Sequence, residues 1–215
     1  MNLYSYFRSS AAFRVRIALN LKGLAYGTKL VNLSTGEHLL GQYRTVNPQG
    51  RIPTLVDKEK VYIQSISIIE YLEEAYPKPQ LLPTSIEERA WVRSIGNIIA
   101  CDIHPLNNLA VLNYLTNEFS ISEAQKVHWY QHWVYQGFEA VEKMLSETAS
   151  RGKFCFGEEP GLADICLVPQ VFNAQRFNCN LETYPEIAKI FKLCMEVEAF
   201  ANAQPSNQPE ADSII

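Results

Sequence analysis

Three prolines fall within eight residues in "YPKPQLLP", Tyr76 to Pro83. Proline removes a backbone donor and blocks helix continuation, so no helix or paired strand runs through this stretch. The chain therefore reads as two parts. Before the prolines, short β-prone runs alternate with helical ones. Beyond them almost everything carries helical periodicity. The reading places a first domain over residues 1–80 and a second, all-helical domain over 85–215.

In the first part, "LYSYF" (Leu3 to Phe7) is short, aromatic and β-prone. Over residues 12–24, Phe13, Ile17 and Leu21 stand four apart with Ala18 beside them, a helical stripe that Gly23 ends. "AYGTKLVNL" reads as a second strand. A strand–helix–strand unit this short implies parallel pairing and a right-handed crossover. Residues 36–46 read as a weak helix. "IPTLVD" and "KVYI" flank the charged turn "DKEK" and predict a hairpin. "QSISIIEYLEEAY" reads as a helix with Ile68, Ile69 and Leu72 inward and Glu73 and Glu74 outward. The order β-α-β-α-β-β-α gives a small mixed sheet flanked by helices, an α/β domain ahead of an all-α one. Beyond the prolines the periodicity predicts helices over 85–115, 121–149, 163–177 and 185–199. The polar tail "QPSNQPEADSII" is expected to be poorly ordered.

Composition narrows the partners. The formal net charge of −4 offers no basic face for nucleic acid. No run approaches the ~20 apolar residues that cross a bilayer. The start, "MNLYSYFRSS", has no long apolar run behind a basic flank, so neither membrane nor secretion is expected. Five cysteines (Cys101, Cys155, Cys166, Cys179, Cys194) form no CxxC pair and read as reduced thiols of a cytoplasmic protein. His128 and His132 share one helix face. Trp129 stands where a zinc protease needs Glu, so no metal is expected.

Three pieces of the first part carry chemistry. Ser9 and Ser10 sit between a strand and a helix start, where unpaired N–H groups and partial positive charge favour an anion. "NPQGRIPTL" puts Pro53 just before a strand, where a cis bond exposes the preceding backbone. Gln64 and Ser65 close a strand and open a helix, a second anion-accepting end. Taken singly, Ser9, Ser10 and Ser65 read as ordinary helix caps and Pro53 as a turn. Their order and spacing together are more specific.

Strand–"SSxxxRVRIAL"–strand, then "NPQGRIPTL", then "QSxxIxEYLEE" resembles the N-terminal domain of the glutathione transferases, and most of all their zeta class. "IHPLNNLAVL" and "ADICLVPQVFNAQRF" resemble the helical domain of that class, so the likeness spans nearly the whole chain. It implies a thioredoxin-like glutathione-binding domain followed by a helical domain, and a homodimer. By position, it gives Ser9 the glutathione sulfur, with Ser10 alongside. Ile52, before Pro53, would pair its backbone with the cysteinyl part. Gln64 and Ser65 would hold the γ-glutamyl carboxylate. His38 falls near the glycyl end, and His104 and Asn108 where the helical domain reaches the site. Arg8 and Arg176 match arginines that hold a dicarboxylate substrate. Either also reads as an ordinary surface or interdomain charge, and Arg14 and Arg16 read as support for the fold or dimer.

The implied activity is glutathione-dependent cis–trans isomerisation of maleylacetoacetate in tyrosine and phenylalanine catabolism. Other readings are a general transferase acting on haloacids or other electrophiles, and a non-catalytic interaction module. Two departures bear on the choice. The class signature usually reads Ser-Ser-Cys, and Ala11 replaces the cysteine. In "GLAD", Gly161 stands where the family usually caps a helix with Ser or Thr, a loss of only a few tenths of a kcal/mol.

Overall fold

The computed structural model describes residues 1–148 and 151–211. Among these, four short strands form one sheet: β1 (Asn2–Ser5), β2 (Gly27–Leu30), β3 (Thr54–Asp57) and β4 (Lys60–Ile63). Their order across the sheet is β2-β1-β3-β4. β1 and β2 are parallel, as a short strand–helix–strand unit requires, and β3 is antiparallel to both β1 and β4. Lys58 and Glu59 join β3 to β4 with φ of 48° and 66°. Two left-handed residues in a two-residue loop match the twist of the flanking strands. The helices of this part are α1 (Ser10–Leu21), the short α2 (Gly41–Arg44) and α3 (Ser65–Ala75).

α1 is buried along most of its length because it is apolar nearly all round, and it also carries buried cations. Lys22, just past its end, donates from Nζ to Glu73 Oε2, Tyr76 O and Pro79 O, each at 2.8 Å. Three donors meet three acceptors, so the buried ammonium is satisfied. Glu73 Oε2 also accepts from the Leu81 N–H at 2.9 Å. The proline-rich connector is thereby tied to α1 and α3. This corrects the reading of Glu73 as a solvent-facing residue beside Glu74: it is 7% exposed. A helical wheel shows which residues share a face, not that another helix brings a cation to that face.

The second part holds α4 (Ile86–Asn97), α5 (His104–Leu106), α6 (Leu109–Phe119), α7 (Glu123–Glu147), α8 (Leu162–Arg176) and α9 (Pro185–Met195). The continuous helix expected over 85–115 is interrupted. Pro105 has no N–H with which to continue an α-helical ladder. Just before it, Ile98–Ile103 widens into a π-helical turn in which the His104 N–H donates to Ile99 O, five residues back. Gly137 on α7 makes room for that turn. A Cβ there would lie 2.3 Å from Ile103 Cδ1, closer than any real contact. At "GLAD" no side chain caps α8, as glycine dictates, but Asp164 accepts from the Gly161 and Cys155 N–H groups at 2.9 Å each.

The expected helix over 185–199 also breaks, and α10 (Glu198–Ala203) follows. The chain divides into one unit of Met1–Leu81 with the segment from Met195 onward, and another of Leu82–Cys194. The expected second domain over 85–215 is therefore corrected at its end. The reason is polar as well as apolar. Arg16 donates to Ala203 O at 3.0 Å, and Asn20 to Ala199 O at 3.0 Å. The expectation of a poorly ordered tail is corrected likewise: Ala211 packs into a cluster with Tyr6, Phe7, Val31, Tyr43 and Ile52. Residue 149 of the expected helix over 121–149, residues 149 and 150 of the expected second domain, and residues 212–215 of that domain and of the tail lie outside the described residues.

The lysine knot sets a stability test. Lys22→Met strands the Glu73 carboxylate in the interior, a loss of about 3–5 kcal/mol in urea unfolding. The double variant Lys22→Met/Glu73→Leu, which removes both charges, is expected to recover most of it.

Candidate active site

Strand register gathers the three sequence pieces at one edge of the sheet. Tyr4 near the end of β1 lies opposite Thr54 at the start of β3, and Thr54 lies opposite Ile63 at the end of β4. The chain leaves β1 toward Ser9, reaches β3 from Pro53 and leaves β4 into Gln64. Three features far apart in sequence thus open on one side of the first unit.

Ser9 is the N-cap of α1, and its Oγ accepts from the Ala12 N–H at 3.2 Å. A hydroxyl has one proton to donate and two lone pairs. Capping uses one lone pair and leaves the proton for an anion at the same helix end. Ser10 is buried, 5% exposed, as the first residue of α1. Ala11 is buried too and presents no thiol.

The Ile52–Pro53 bond is cis. The turn before it is held by residues the sequence reading did not single out. Asn47, 1% exposed, donates to Arg51 O at 2.7 Å and to Thr54 Oγ1 at 3.1 Å, and its Oδ1 accepts from the Gln49 N–H at 3.0 Å. Tyr43 OH donates to Arg51 O at 2.7 Å. The asparagine of "NPQG" was readable as a turn former, but its reach across the turn was not. Gly50, at φ 62°, lets the turn close on His38: a Cβ would lie 2.9 Å from the His38 carbonyl. Burial lowers the His38 pKa, favouring the neutral imidazole. Its buried Nδ1 has no hydrogen-bond partner among the described residues.

Gln64 has φ 68° and ψ 120°, a conformation that L-residues rarely adopt and that costs about 1–3 kcal/mol. Its side chain donates to Gln49 Oε1 at 2.8 Å, joining the "NPQG" turn to the start of α3. No side chain caps α3. The start of α3 is thus an uncapped helix end beside a strained residue. Arg8 is exposed, its guanidinium 4.9 Å from the Phe7 ring centre.

His104, Asn108 and Arg176 belong to the second unit. His104 opens α5 and is half-buried. Asn108 caps α6: its Oδ1 accepts from the Val111 N–H at 3.1 Å, and its amide donates to Pro105 O. Arg176 is exposed at the end of α8, with Nη1 3.4 Å from Asn173 Oδ1. Two α7 residues to which the sequence assigned no part in the site hold both segments. Trp129 Nε1 donates to Leu106 O at 2.9 Å, and Tyr130 O accepts from Asn107 at 3.1 Å. The Tyr130 ring stacks on Phe177 at 3.6 Å, and burial pushes its phenol pKa up to about 12. The exposed His128 and His132 flank this pair. No group of three or more metal-ligating side chains occurs among the described residues.

The glutathione S-transferase N-terminal domain family matches residues 3–80. A probable maleylacetoacetate isomerase from Vibrio cholerae is 46% identical over 97% of both chains. A zeta-class glutathione S-transferase from Euphorbia esula is 43% identical over 99% of this chain and 93% of that one. The chain belongs to the zeta class of the glutathione transferases. Among solved zeta-class structures, a bacterial maleylpyruvate isomerase in its holo form superposes with a TM-score of 0.97 at 44% identity, over 98% of this chain and 100% of that one. A maleylacetoacetate isomerase from Methylobacterium extorquens with bound malonate and glutathione gives a TM-score of 0.95 at 34% identity, over 98% and 99%. The transferase fold is thus common to this chain and its relatives.

The turn makes a direct test. Asn47→Ala removes donors that hold the carbonyl before Ile52, a loss of about 1–3 kcal/mol. A lowered melting temperature together with weaker retention on immobilised glutathione is expected; unchanged retention would separate the turn from the ligand.

Proposed function

We propose that this chain is a glutathione-dependent cis–trans isomerase that converts maleylacetoacetate to fumarylacetoacetate in tyrosine and phenylalanine catabolism. The observation that carries the reading is the Ser9 hydroxyl, at the α1 N-terminus and at the sheet edge shared with Ile52–Pro53 and the uncapped start of α3. The names of the full-length relatives support the reaction.

When bound, glutathione supplies a thiolate nucleophile for reversible addition across the substrate's cis double bond. The residues set up that nucleophile. A thiol of pKa near 8.5 is only about 3% thiolate at pH 7, and a pKa near 6.5 makes thiolate the major form. That shift corresponds to about 2.7 kcal/mol of preference for the anion. One charge-assisted hydrogen bond from Ser9 Oγ, at ~1.5–3 kcal/mol, is of that size. The end of α1 adds roughly 0.3–1 kcal/mol. Ser10, buried beside it as the first residue of α1, lies alongside the sulfur. Ile52 offers its backbone to the cysteinyl unit. Gln64 and Ser65 take the γ-glutamyl carboxylate, and His38 the glycyl end. To His104 and Asn108 we assign the glutathione contacts made from the helical domain, and to Arg8 and Arg176 the substrate carboxylates. Arginine suits that task because its planar fork pairs with carboxylates in two places at once. Ala11 adds no second thiol. A cytoplasmic homodimer is part of the proposal.

A second reading has its own support in the 0.97 superposition on a maleylpyruvate isomerase. Both substrates place a carboxylate on a cis double bond, so the same residues serve either. A transferase acting on haloacids would use the same thiolate.

Turnover of maleylacetone and of maleylpyruvate, each with and without glutathione, decides between them. Glutathione-dependent isomerisation of maleylacetone is expected, and its absence would sink the first reading. Ser9→Ala is expected to raise the bound thiol's pKa and cut turnover at pH 7 by roughly 25-fold, the ratio of the two thiolate fractions. Ser10→Ala should do less. Equal, small effects would make Ser9 a cap and nothing more.

A further inference from the structure

α1 buries two arginines that the reaction as described does not use. Arg16 holds its own surroundings together. It donates to Ala203 O at 3.0 Å, Ser5 Oγ at 3.1 Å and Phe7 O at 3.2 Å, fixing the β1–α1 turn and the end of α10. Arg14 points elsewhere. It is 1% exposed, and among its contacts Nη1 donates to Ser65 Oγ at 3.3 Å. Ser65 is the first residue of α3 and is 6% exposed.

We propose that Arg14 is a positioning residue for the α-carboxylate of the γ-glutamyl group, acting through Ser65. The inference rests on the glutathione reading above and adds a residue to it. A guanidinium has only donors and does not lose its proton. When Arg14 donates into one lone pair of Ser65 Oγ, the serine proton is turned away from Arg14. It is then held for an acceptor at the start of α3. That start has no side-chain cap, whereas Ser9, Ser85, Asn108 and Ser122 cap α1, α4, α6 and α7. An external carboxylate there meets the Ser65 hydroxyl and the helix-end N–H groups. Behind them lies a permanent buried charge that salt screens little. One helix thus serves two parts of the ligand: its N-cap faces the sulfur, and its second turn braces the carboxylate site.

The test compares glutathione with 4-aminobutanoyl-cysteinyl-glycine, which lacks only that carboxylate. Calorimetry on the full-length protein gives both affinities. Arg14→Met is expected to weaken glutathione by about 10-fold, the scale of one charge-assisted hydrogen bond. It should leave the truncated peptide nearly unchanged. Turnover at saturating glutathione and the bound thiol's pKa should also stay put, because they report on Ser9. Ser65→Ala should weaken glutathione similarly, and the double variant should be little worse than either single one. Equal weakening of both peptides by Arg14→Met would make Arg14 a fold residue and overturn the proposal. Should Arg14→Met fail to fold, Arg14→Gln, which removes the charge but keeps a neutral donor, carries the comparison: a smaller loss confined to glutathione supports the proposal, and an equal loss or no loss for both peptides overturns it. Wild-type protein that binds neither peptide would instead count against the glutathione reading itself.

Discussion

A charge taken out of water must find partners, and α1 with its C-cap takes three cations out of water. Lys22 finds Glu73 and the carbonyls of the connector. Arg16 finds the β1–α1 turn and Ala203. Arg14 reaches Ser65. Desolvation costs several kcal/mol per ion, so these partners are conditions for burying the helix rather than additions to it. Burial still lowers the Arg16 pKa to about 10, a measure of how dry its site is. The path of the first unit is largely the set of places these three side chains must reach. That is why a helix whose N-cap is proposed to meet a sulfur also fixes the connector, the third helix and the last helix.

Much of this unit was legible in the sequence because its signals are local. The parallel pair follows from the brevity of the strand–helix–strand unit. The hairpin follows from two apolar runs around "DKEK". Ser9 as the start of a helix follows from hydroxyl chemistry. The failures share the opposite character. Glu73 faces inward because Lys22, 51 positions earlier, comes to meet it. The tail is ordered because the first unit offers donors and an apolar cluster to it. Asn47 and Tyr43 converge on one carbonyl only after the turn has closed. The π-helical turn needs Pro105 and the room left by Gly137 at once, and neither residue announces the other. In each case the deciding contact is made by residues far apart in the chain.

A serine at a helix start is either punctuation or chemistry only if its hydroxyl has a single use. Ser9 accepts from Ala12 with a lone pair and keeps its proton, so one group is open to both uses. Asn108 has the same latitude: its Oδ1 accepts from Val111 and one amide proton goes to Pro105 O, which leaves a lone pair and a second N–H.

The return of the chain to its first unit has a consequence for how the protein comes into being. In order of synthesis, β1 to α3 emerge first, then the whole of the second unit, and only then α10. Until Ala203 has left the ribosome, Arg16 lacks the acceptor for its Nε and the aromatic cluster lacks Ala211. Domains generally fold as units in the order they are made. Here the N-terminal unit is begun first and finished last, with its own closing piece held back behind the entire helical unit.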